Sequence, residues 1–311
     1  MTSVVTPSVR RRRARGGALG GSRLRRNERR TAIALVTPTV ALIVAVAFLP
    51  VLYTVYLSLH DATVARTGDF VGLRNYIDAA TDSVFRTALR NTVLFTVVSV
   101  TLELLIGLGV ALGIHRSFRG RGLVRTAVLV PWAFPVVISA LMWRLMLQDQ
   151  VGIISYLVDS LGLLGGPILS DDTALMVAAV VVDVWKTTPF MALLLLAGLQ
   201  TISRDVYEAA EVDGATKWQR FWHITLPLLK PAILVAVLFR TLEAWAVYDL
   251  FWVMSDRRLE SLSTYVFEGV RVSQLGFATG TAAAVFVFVT SIAIALAFIK
   301  GFGTRTGEDG R

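Results

Sequence analysis

The sequence predicts an all-α, polytopic membrane protein with six transmembrane helices. Hydrophobic residues make up 55% of the 311 residues and charged residues only 17%, whereas a soluble domain has about 25% charged residues. Several apolar runs follow one another, and about 20 such residues are enough to cross a bilayer core of roughly 30 Å. Because that core holds no water to satisfy backbone polar groups, each run is expected to be helical.

The chain is predicted to comprise a basic tail, a membrane domain and a short C-terminal tail. Residues 1–30 carry many arginines among Gly and Ser. This composition predicts a disordered cytoplasmic tail, because basic residues before an apolar run favour retention on the cytoplasmic side. Nucleic-acid binding by the tail is the weaker alternative. The membrane domain is predicted over 31–303, and 304–311 is predicted to be a second cytoplasmic tail.

The order of the apolar runs predicts the topology. The six expected spans are 31–59, 88–114, 123–147, 173–201, 228–254 and 273–300. Basic residues gather between the second and third spans and after the sixth, which predicts that these segments are cytoplasmic. Both termini, and the segment between spans 4 and 5, are then cytoplasmic as well. The first run is too long for a signal-peptide core of about 7 to 15 residues, so it is expected to remain as a span.

Spans 1 and 6 carry no ionisable residue in their apolar runs, whereas spans 2 to 5 do, which predicts that these four surround a polar cavity. The residues are Glu103 in span 2, Arg144 in span 3, Asp183 and Lys186 in span 4, and Arg240, Glu243 and Asp249 in span 5. The i,i+3 spacing allows Asp183 to pair with Lys186, and Arg240 with Glu243, on one helix face. A purely structural role therefore stays open for both pairs. Asp249 has no partner at such a spacing, so it is the better functional candidate.

The segment at 201–227 is predicted to form a helix, a glycine turn and a second helix. A short helix is expected before Gly214, which can end it by adopting a positive φ. The second helix has one apolar face, since aromatic residues and a threonine recur at i, i+3, i+4 and i+7 from Trp218. A shape that is small at Ala209 and acidic at Glu208 suits insertion into a groove on another protein. The alternative is an interfacial helix that rests on lipid headgroups.

The stretch EAAEVDGATKWQRFWHITLP, which begins at Glu208, resembles the EAA loop of bacterial ATP-binding-cassette importer permeases. The resemblance continues in FVGLRNY at 70–76, RNTVLFT at 90–96, LVRTAVLVPWAFP at 123–135 and VWKTTPFMALLLLAGLQ at 184–200. Together these motifs are similar to the carbohydrate branch of that family, which includes maltose, glycerol-phosphate and trehalose permeases. The resemblance implies a type I importer permease fold and a location in the plasma (cytoplasmic) membrane.

The resemblance also implies partners. The segment at 201–227 would be a coupling helix that docks in a cleft of a cytoplasmic ATPase. The residues assigned to this coupling are Glu208, Ala209, Ala210, Asp213, Gly214, Leu226 and Pro227. The other implied partners are a second permease subunit, a second copy of the ATPase and an extracytoplasmic sugar-binding protein. The partner ATPase would bind ATP and Mg, and this chain would hold no cofactor.

Substrate contacts are predicted from cavity chemistry combined with the resemblance. Sugars present hydroxyl pairs and flat C–H faces, so carboxylates beside aromatic rings are expected in a mostly apolar pocket. The predicted substrate-pathway residues are Ser139, Trp143, Asp183, Trp185, Lys186, Thr187, Phe190, Glu243, Trp245, Tyr248 and Asp249. Ordinary helix packing is the alternative for each aromatic residue, because aromatics at helical spacing usually belong to a core.

The energy source separates the remaining classes of function. The sequence lacks a G-x-x-x-x-G-K-[ST] loop, so ATP hydrolysis by that route is excluded and the chain is expected to be non-catalytic. A stand-alone secondary transporter would be expected to show inverted repeats and broken helices, and neither is evident in the sequence. An intramembrane hydrolase needs a nucleophile close to a base, yet His60, His115 and His223 lie on separate segments. Import of a non-sugar solute such as glycerol phosphate stays open.

Overall fold

A computed structural model describes residues 20–116, 119–162, 166–272 and 276–303 of the chain. Regular structure within these ranges is helical, apart from an isolated bridge between His60 and Phe70. Most of the predicted basic tail, at 1–19, and the C-terminal tail at 304–311 lie outside the described residues. The backbone is helical from Gly20 onwards, so the first helix begins before the expected start of span 1.

The chain divides after Tyr53 into two compact units. The first unit holds α1 (Gly20–Ile43), a π-helical turn at Val44–Phe48 and the start of α2 (Leu49–Ser58). Within that turn the N–H of Leu49 reaches the carbonyl of Val44, five residues back. Pro50, the next residue, has no N–H to donate, and this accounts for the local widening of the helix.

The second unit contains the remaining helices. They are α3 (Arg74–Thr81), α4 (Ser83–His115), α5 (Arg121–Ala133), α6 (Val136–Met146), α7 (Ile153–Ser160), α8 (Asp172–Gln200), α9 (Arg204–Val212), α10 (Lys217–Arg220), α11 (Leu226–Trp245), α12 (Asp249–Met254), α13 (Leu262–Phe267) and α14 (Phe277–Gly303). Asp82 and Asp171 cap the long helices α4 and α8, each accepting a hydrogen bond from a first-turn backbone N–H.

The described residues contain five helices that can cross a membrane, or six if a bent pair is counted as one span. Among the described residues, five stretches are long and apolar enough, namely Thr31–Ser58, Ser83–His115, Asp172–Gln200, Lys217–Trp245 and Phe277–Gly301. Helices α5 and α6 provide a sixth span if the bent pair is counted as one. The expectation of an all-α protein with six spans is therefore consistent with the structure.

Two of the predicted spans are broken, so the expectation of a continuous helix at 123–147 and at 228–254 is wrong. The axes of α5 and α6 meet at 90°, because Phe134 is extended at ψ 141° before Pro135. The fifth span ends at Trp245, and α12 begins only at Asp249. Tyr248 and Asp249 consequently lie beyond the helix that carries Glu243.

Helices α4, α8 and α11 pack together around the main core. Phe95 and Phe251 meet edge to face within it, with ring centroids 5.0 Å apart. At Gly198 a Cβ atom would lie 2.3 Å from the Cβ of Ala232, so only glycine allows α8 and α11 to approach this closely. The three helices therefore form one tightly packed group in which a side chain on one helix can reach the other two.

A smaller core lies where α13 and α14 meet the start of α4. It contains Phe85 and Trp245, and the indole N–H of Trp245 donates to Thr290 at 3.0 Å. The hydroxyl of Tyr265 donates to Asp82 at 2.9 Å. Burial, together with this carboxylate, raises the pKa of Tyr265 to about 12, so the phenol stays neutral and keeps donating at physiological pH.

Candidate functional site

A buried arginine lies among the packed helices of the second unit. Arg240 lies on α11, and its side chain is only 3% exposed while that of Glu103 on α4 is 0% exposed. The guanidinium donates from Nε to Oε2 of Glu103 at 2.6 Å and from Nη2 to Oε1 at 2.9 Å. This two-pronged arrangement is the strongest geometry that an arginine and a carboxylate can adopt.

Two further carboxylates contact the same guanidinium. Arg240 Nη2 donates to Asp183 Oδ2 on α8 at 3.1 Å, and Nη1 donates to Glu243 Oε2 at 2.6 Å. We call Glu103, Asp183, Arg240 and Glu243 the charge network. It joins three helices through one side chain, and its exposure rises from the fully buried Glu103 to Asp183 at 13% and Glu243 at 59%.

Thr187 supports the charge network from α8. Its hydroxyl lies 2.7 Å from Glu103 Oε1 and 2.6 Å from the carbonyl of Asp183, so its one proton is shared between two acceptors. The polar atoms of Glu103 are therefore satisfied from both neighbouring helices. A buried carboxylate is stable only with such complete pairing, because desolvation penalises its charged form.

The structure changes the pairing that the sequence predicted. Arg240 and Glu243 do form an ion pair, but it is only one of three that the guanidinium makes. The predicted pair of Asp183 and Lys186 does not form, since Asp183 faces Arg240 while Lys186 donates to the carbonyl of Phe134 at 2.8 Å. The predicted substrate-pathway residues do not include Glu103, although the structure places it in the charge network. The signal that could have included it is a carboxylate in an apolar span without a partner on its own helix.

The predicted aromatic residues fall into separate groups. Trp143 on α6 and Trp185 on α8 meet edge to face at 5.5 Å, and Phe190 stacks on Trp132 of α5 at 5.9 Å. Ser139 is buried on α6. The two ring pairs therefore join α8 to the two halves of the broken span, Trp185 to α6 and Phe190 to α5.

The remaining predicted residues of span 5 lie away from the charge network. Trp245 belongs to the smaller core against α14, so it does not provide a ring beside Glu243. Tyr248 stacks on Trp252 at 5.8 Å and contacts Phe267 at 4.9 Å. Asp249 opens α12 beyond the break. The expectation that Tyr248 and Asp249 continue the helix face of Glu243 fails because that helix ends first.

The predicted helix–turn–helix is present between spans 4 and 5. We call residues 204–220 the glycine-turn segment. Gly214 has φ +79°, its N–H bonds Glu211 O at 3.0 Å, and the N–H of Ala215 bonds Ala210 O at 2.9 Å. This pair of bonds is a Schellman motif, which satisfies the last carbonyls of α9 and requires a residue that tolerates positive φ.

The second helix of the glycine-turn segment is capped and anchored. Thr216 and Gln219 form a capping box at the start of α10. An ion pair between Arg220 and Glu211 joins the two helices, and the Tyr207 hydroxyl lies 3.0 Å from the Thr225 hydroxyl. The short helix α9 is therefore held in a fixed orientation although it has few buried atoms.

The outer face of α9 is free to meet a partner. Glu208, Ala209 and Asp213 are exposed, and Val212 is 88% exposed. Leu226 and Pro227 lie at the start of α11, directly after a second π-helical turn at Phe221–Thr225. Acidic, small and apolar side chains thus project together from a rigid segment.

These features define a class of protein: a multi-pass helical membrane protein with a rigid, exposed glycine-turn segment between its fourth and fifth spans. The comparison with known families gives the particular assignment. Residues 103–306 match the family described as "Binding-protein-dependent transport system inner membrane component". The chain belongs to this family, and the predicted resemblance to importer permeases is confirmed.

Curated relatives align along nearly the whole chain. The "Trehalose/maltose transport system permease protein MalF" of Thermococcus litoralis is 38% identical over 90% of this chain and 96% of its own. The "Trehalose transport system permease protein SugA" of Mycobacterium tuberculosis is 40% identical, with 91% of each chain covered. The crystal structure of a bacterial ABC transporter involved in the import of the acidic polysaccharide alginate superposes with a TM-score of 0.77, at 22% identity, over 91% of this chain and 99% of that chain. This likeness confirms the predicted fold class.

Proposed function

We propose that this chain is the permease subunit of an ATP-binding-cassette importer that carries a di- or oligosaccharide of the trehalose or maltose type into the cytoplasm. Relatives at 38% and 40% identity carry trehalose or maltose transport in their names, which supports the class of solute. The observation that carries the proposal is the exposed, rigid glycine-turn segment. Because the chain lacks a phosphate-binding loop, it would depend on a separate ATPase, and this segment offers a surface to which that ATPase could bind.

The glycine-turn segment is proposed to dock in a cleft of the partner ATPase. Glu208 would face a basic residue there, while Ala209 and Ala210 allow close approach of the α9 backbone. The complex would contain a second permease subunit, two ATPase copies that bind ATP and Mg, and an extracytoplasmic sugar-binding protein. This chain itself is non-catalytic, and its termini lie on the cytoplasmic side together with the glycine-turn segment.

The sugar path is proposed to run beside the exposed side of the charge network. Glu243 is 59% exposed and Asp183 is partly exposed, so both can accept hydrogen bonds from sugar hydroxyls while Arg240 holds them in place. Trp143 on α6 and Trp185 on α8, which meet edge to face, are proposed to add flat apolar surface to this path. Glu103 has no exposed atoms, so its role is confined to fixing Arg240.

The experiment measures uptake of labelled trehalose and maltose by cells that lack the chromosomal copy and carry a plasmid-borne one. Glu208→Lys is expected to lower uptake by about tenfold or more, because it places like charges across the docking site. Asp78→Lys makes the same charge change at an exposed position on α3, so it serves as the matched control and should leave uptake unchanged. Absence of sugar uptake by the unmodified complex, or full uptake and ATPase co-purification with Glu208→Lys, would contradict the proposal.

A further inference from the structure

The break in the third span leaves backbone polar groups of the second unit without partners in their own helix. Helix α5 ends at Ala133 and α6 begins at Val136. We call residues 133–136 the elbow. The carbonyls in the last turn of a helix have no partner within that helix, and in an apolar environment each must find one elsewhere. Irregular backbone at membrane depth is tolerated only where protein or water satisfies it.

Lys186 satisfies one of these carbonyls. Its ammonium lies 2.8 Å from the carbonyl oxygen of Phe134, and the residue is only 7% exposed. A cation at this position also meets the partial negative charge at the C-terminal end of α5. Lys186 therefore stabilises the elbow through both a hydrogen bond and the helix dipole.

The elbow is the only acceptor that the described contacts give to this ammonium. The nearest carboxylate along α8, that of Asp183, contacts Arg240, and no ion pair joins it to Lys186 among the described residues. A second contact reinforces the first, since Trp132 stacks on Phe190 with an angle of 15° between the rings. Lys186 and Phe190 are one turn apart on α8, so two points on one helix face hold the end of α5.

We propose that Lys186 is a positioning residue that ties the elbow of the broken span to the turn of α8 that also carries Asp183 into the charge network. One turn of α8 thus contacts the charge network through Asp183 and the elbow through Lys186. A displacement of that turn changes both at once, so rearrangement of the three-helix group reorients α6 relative to α5. The inference rests on the proposed function in one respect, since it assigns this movement to the transport cycle.

The test uses a reporter cysteine next to the elbow. The chain contains no cysteine, so Val137→Cys on α6, where the residue is 40% exposed, gives a single thiol. Lys186→Met in this background is expected to change the thiol labelling rate of the purified complex by about tenfold, as loss of a charge-assisted hydrogen bond implies. Lys186→Arg retains a cationic donor and should restore the original rate. Lys230→Met, a matched loss of an exposed lysine on α11, should leave the rate unchanged.

Uptake kinetics separate positioning from direct sugar contact. With Lys186→Met, the maximal uptake rate should fall while the sugar concentration at half-maximal rate stays the same. A raised half-maximal concentration with an unchanged labelling rate would overturn the proposal and return Lys186 to the sugar site. Should Lys186→Met fail to assemble, Trp132→Leu loosens the second contact, and an unchanged labelling rate there would also overturn it. Labelling needs no sugar, so it stays decisive even if the unmodified complex transports none of the sugars tested.

Discussion

Two arginines in this molecule make ion pairs at similar distances but in opposite surroundings. Arg240 lies 3.1 Å from Asp183 and is 3% exposed, whereas Arg258 lies 3.0 Å from Asp172 and is 45% exposed. Water can replace the partner of Arg258, and ions screen it, so the pair contributes little to stability. Nothing replaces the partners of Arg240. The comparison teaches that burial, rather than bond length, decides what the loss of a charged partner costs.

The largest expected effect is the loss of the buried guanidinium. Arg240→Met leaves the buried Glu103 and the partly exposed Asp183 without a cationic partner, and removal of one member of a buried pair costs about 3–5 kcal/mol. The variant should give little assembled complex, measured as yield and thermal unfolding in detergent. Adding Glu103→Gln and Asp183→Asn removes the unpaired charges and should restore part of the yield. Normal yield from Arg240→Met alone would show that the buried and exposed pairs do not differ.

Glu243 is intermediate between the buried and the exposed pair, because its partner Arg240 is buried while its own side chain is 59% exposed. Glu243→Gln should change stability by about 1 kcal/mol or less, since the amide oxygen still accepts from Arg240. Uptake at limiting sugar should fall more than assembly, measured as initial rate per assembled complex. Equal losses of uptake and assembly would assign Glu243 to structure alone.

The double variant Arg240→Met with Glu243→Met tests whether Arg240 and Glu243 act as an isolated pair or as members of the charge network. A two-residue pair would tolerate removal of both members, but Glu103 and Asp183 would remain unpaired in this network. The double variant should therefore assemble about as poorly as Arg240→Met alone, measured as the yield of complex. Full recovery of yield would mean that Glu243 is the only partner that matters.

The smallest effect is expected at the exposed pair. Arg258→Gln should lower the free energy of unfolding by roughly 0–1 kcal/mol, because solvent already screens this pair. The difference should shrink further when the melting temperature is measured at high salt. A loss as large as that from Arg240→Met would refute the role given to burial.

The sequence was sufficient for the features that depend on local pattern. Apolar runs predicted the spans, and the spacing around Gly214 predicted the glycine turn. The charge network could not be predicted in full, because i,i+3 spacing reveals partners only on the same helix. Glu103 and Arg240 are 137 positions apart in the sequence, and only packing of α4 against α11 brings them together.

The breaks in spans 3 and 5 account for the other differences. Pro135 is visible in the sequence, but proline within a span is tolerated when a neighbouring helix satisfies the freed backbone. In α8, Pro189 lies inside a continuous helix, whereas Pro135 coincides with a 90° bend. Residue type alone does not separate these cases. The position of Trp245 was mistaken for a related reason, since its partner Thr290 is contributed by a distant helix.

At Gly214 the backbone conformation disfavours an L residue, although there is room for a side chain. Its φ is +79°, yet a Cβ atom added there would meet nothing within 4 Å. An L side chain is disfavoured by about 1–2 kcal/mol in this conformation, whereas its mirror image adopts it readily. At Gly198 the space itself is filled by Ala232, so an L side chain does not fit there without displacing a helix. Residue 214 therefore imposes a stereochemical constraint, and a D-alanine placed there is expected to preserve the shape of the glycine-turn segment.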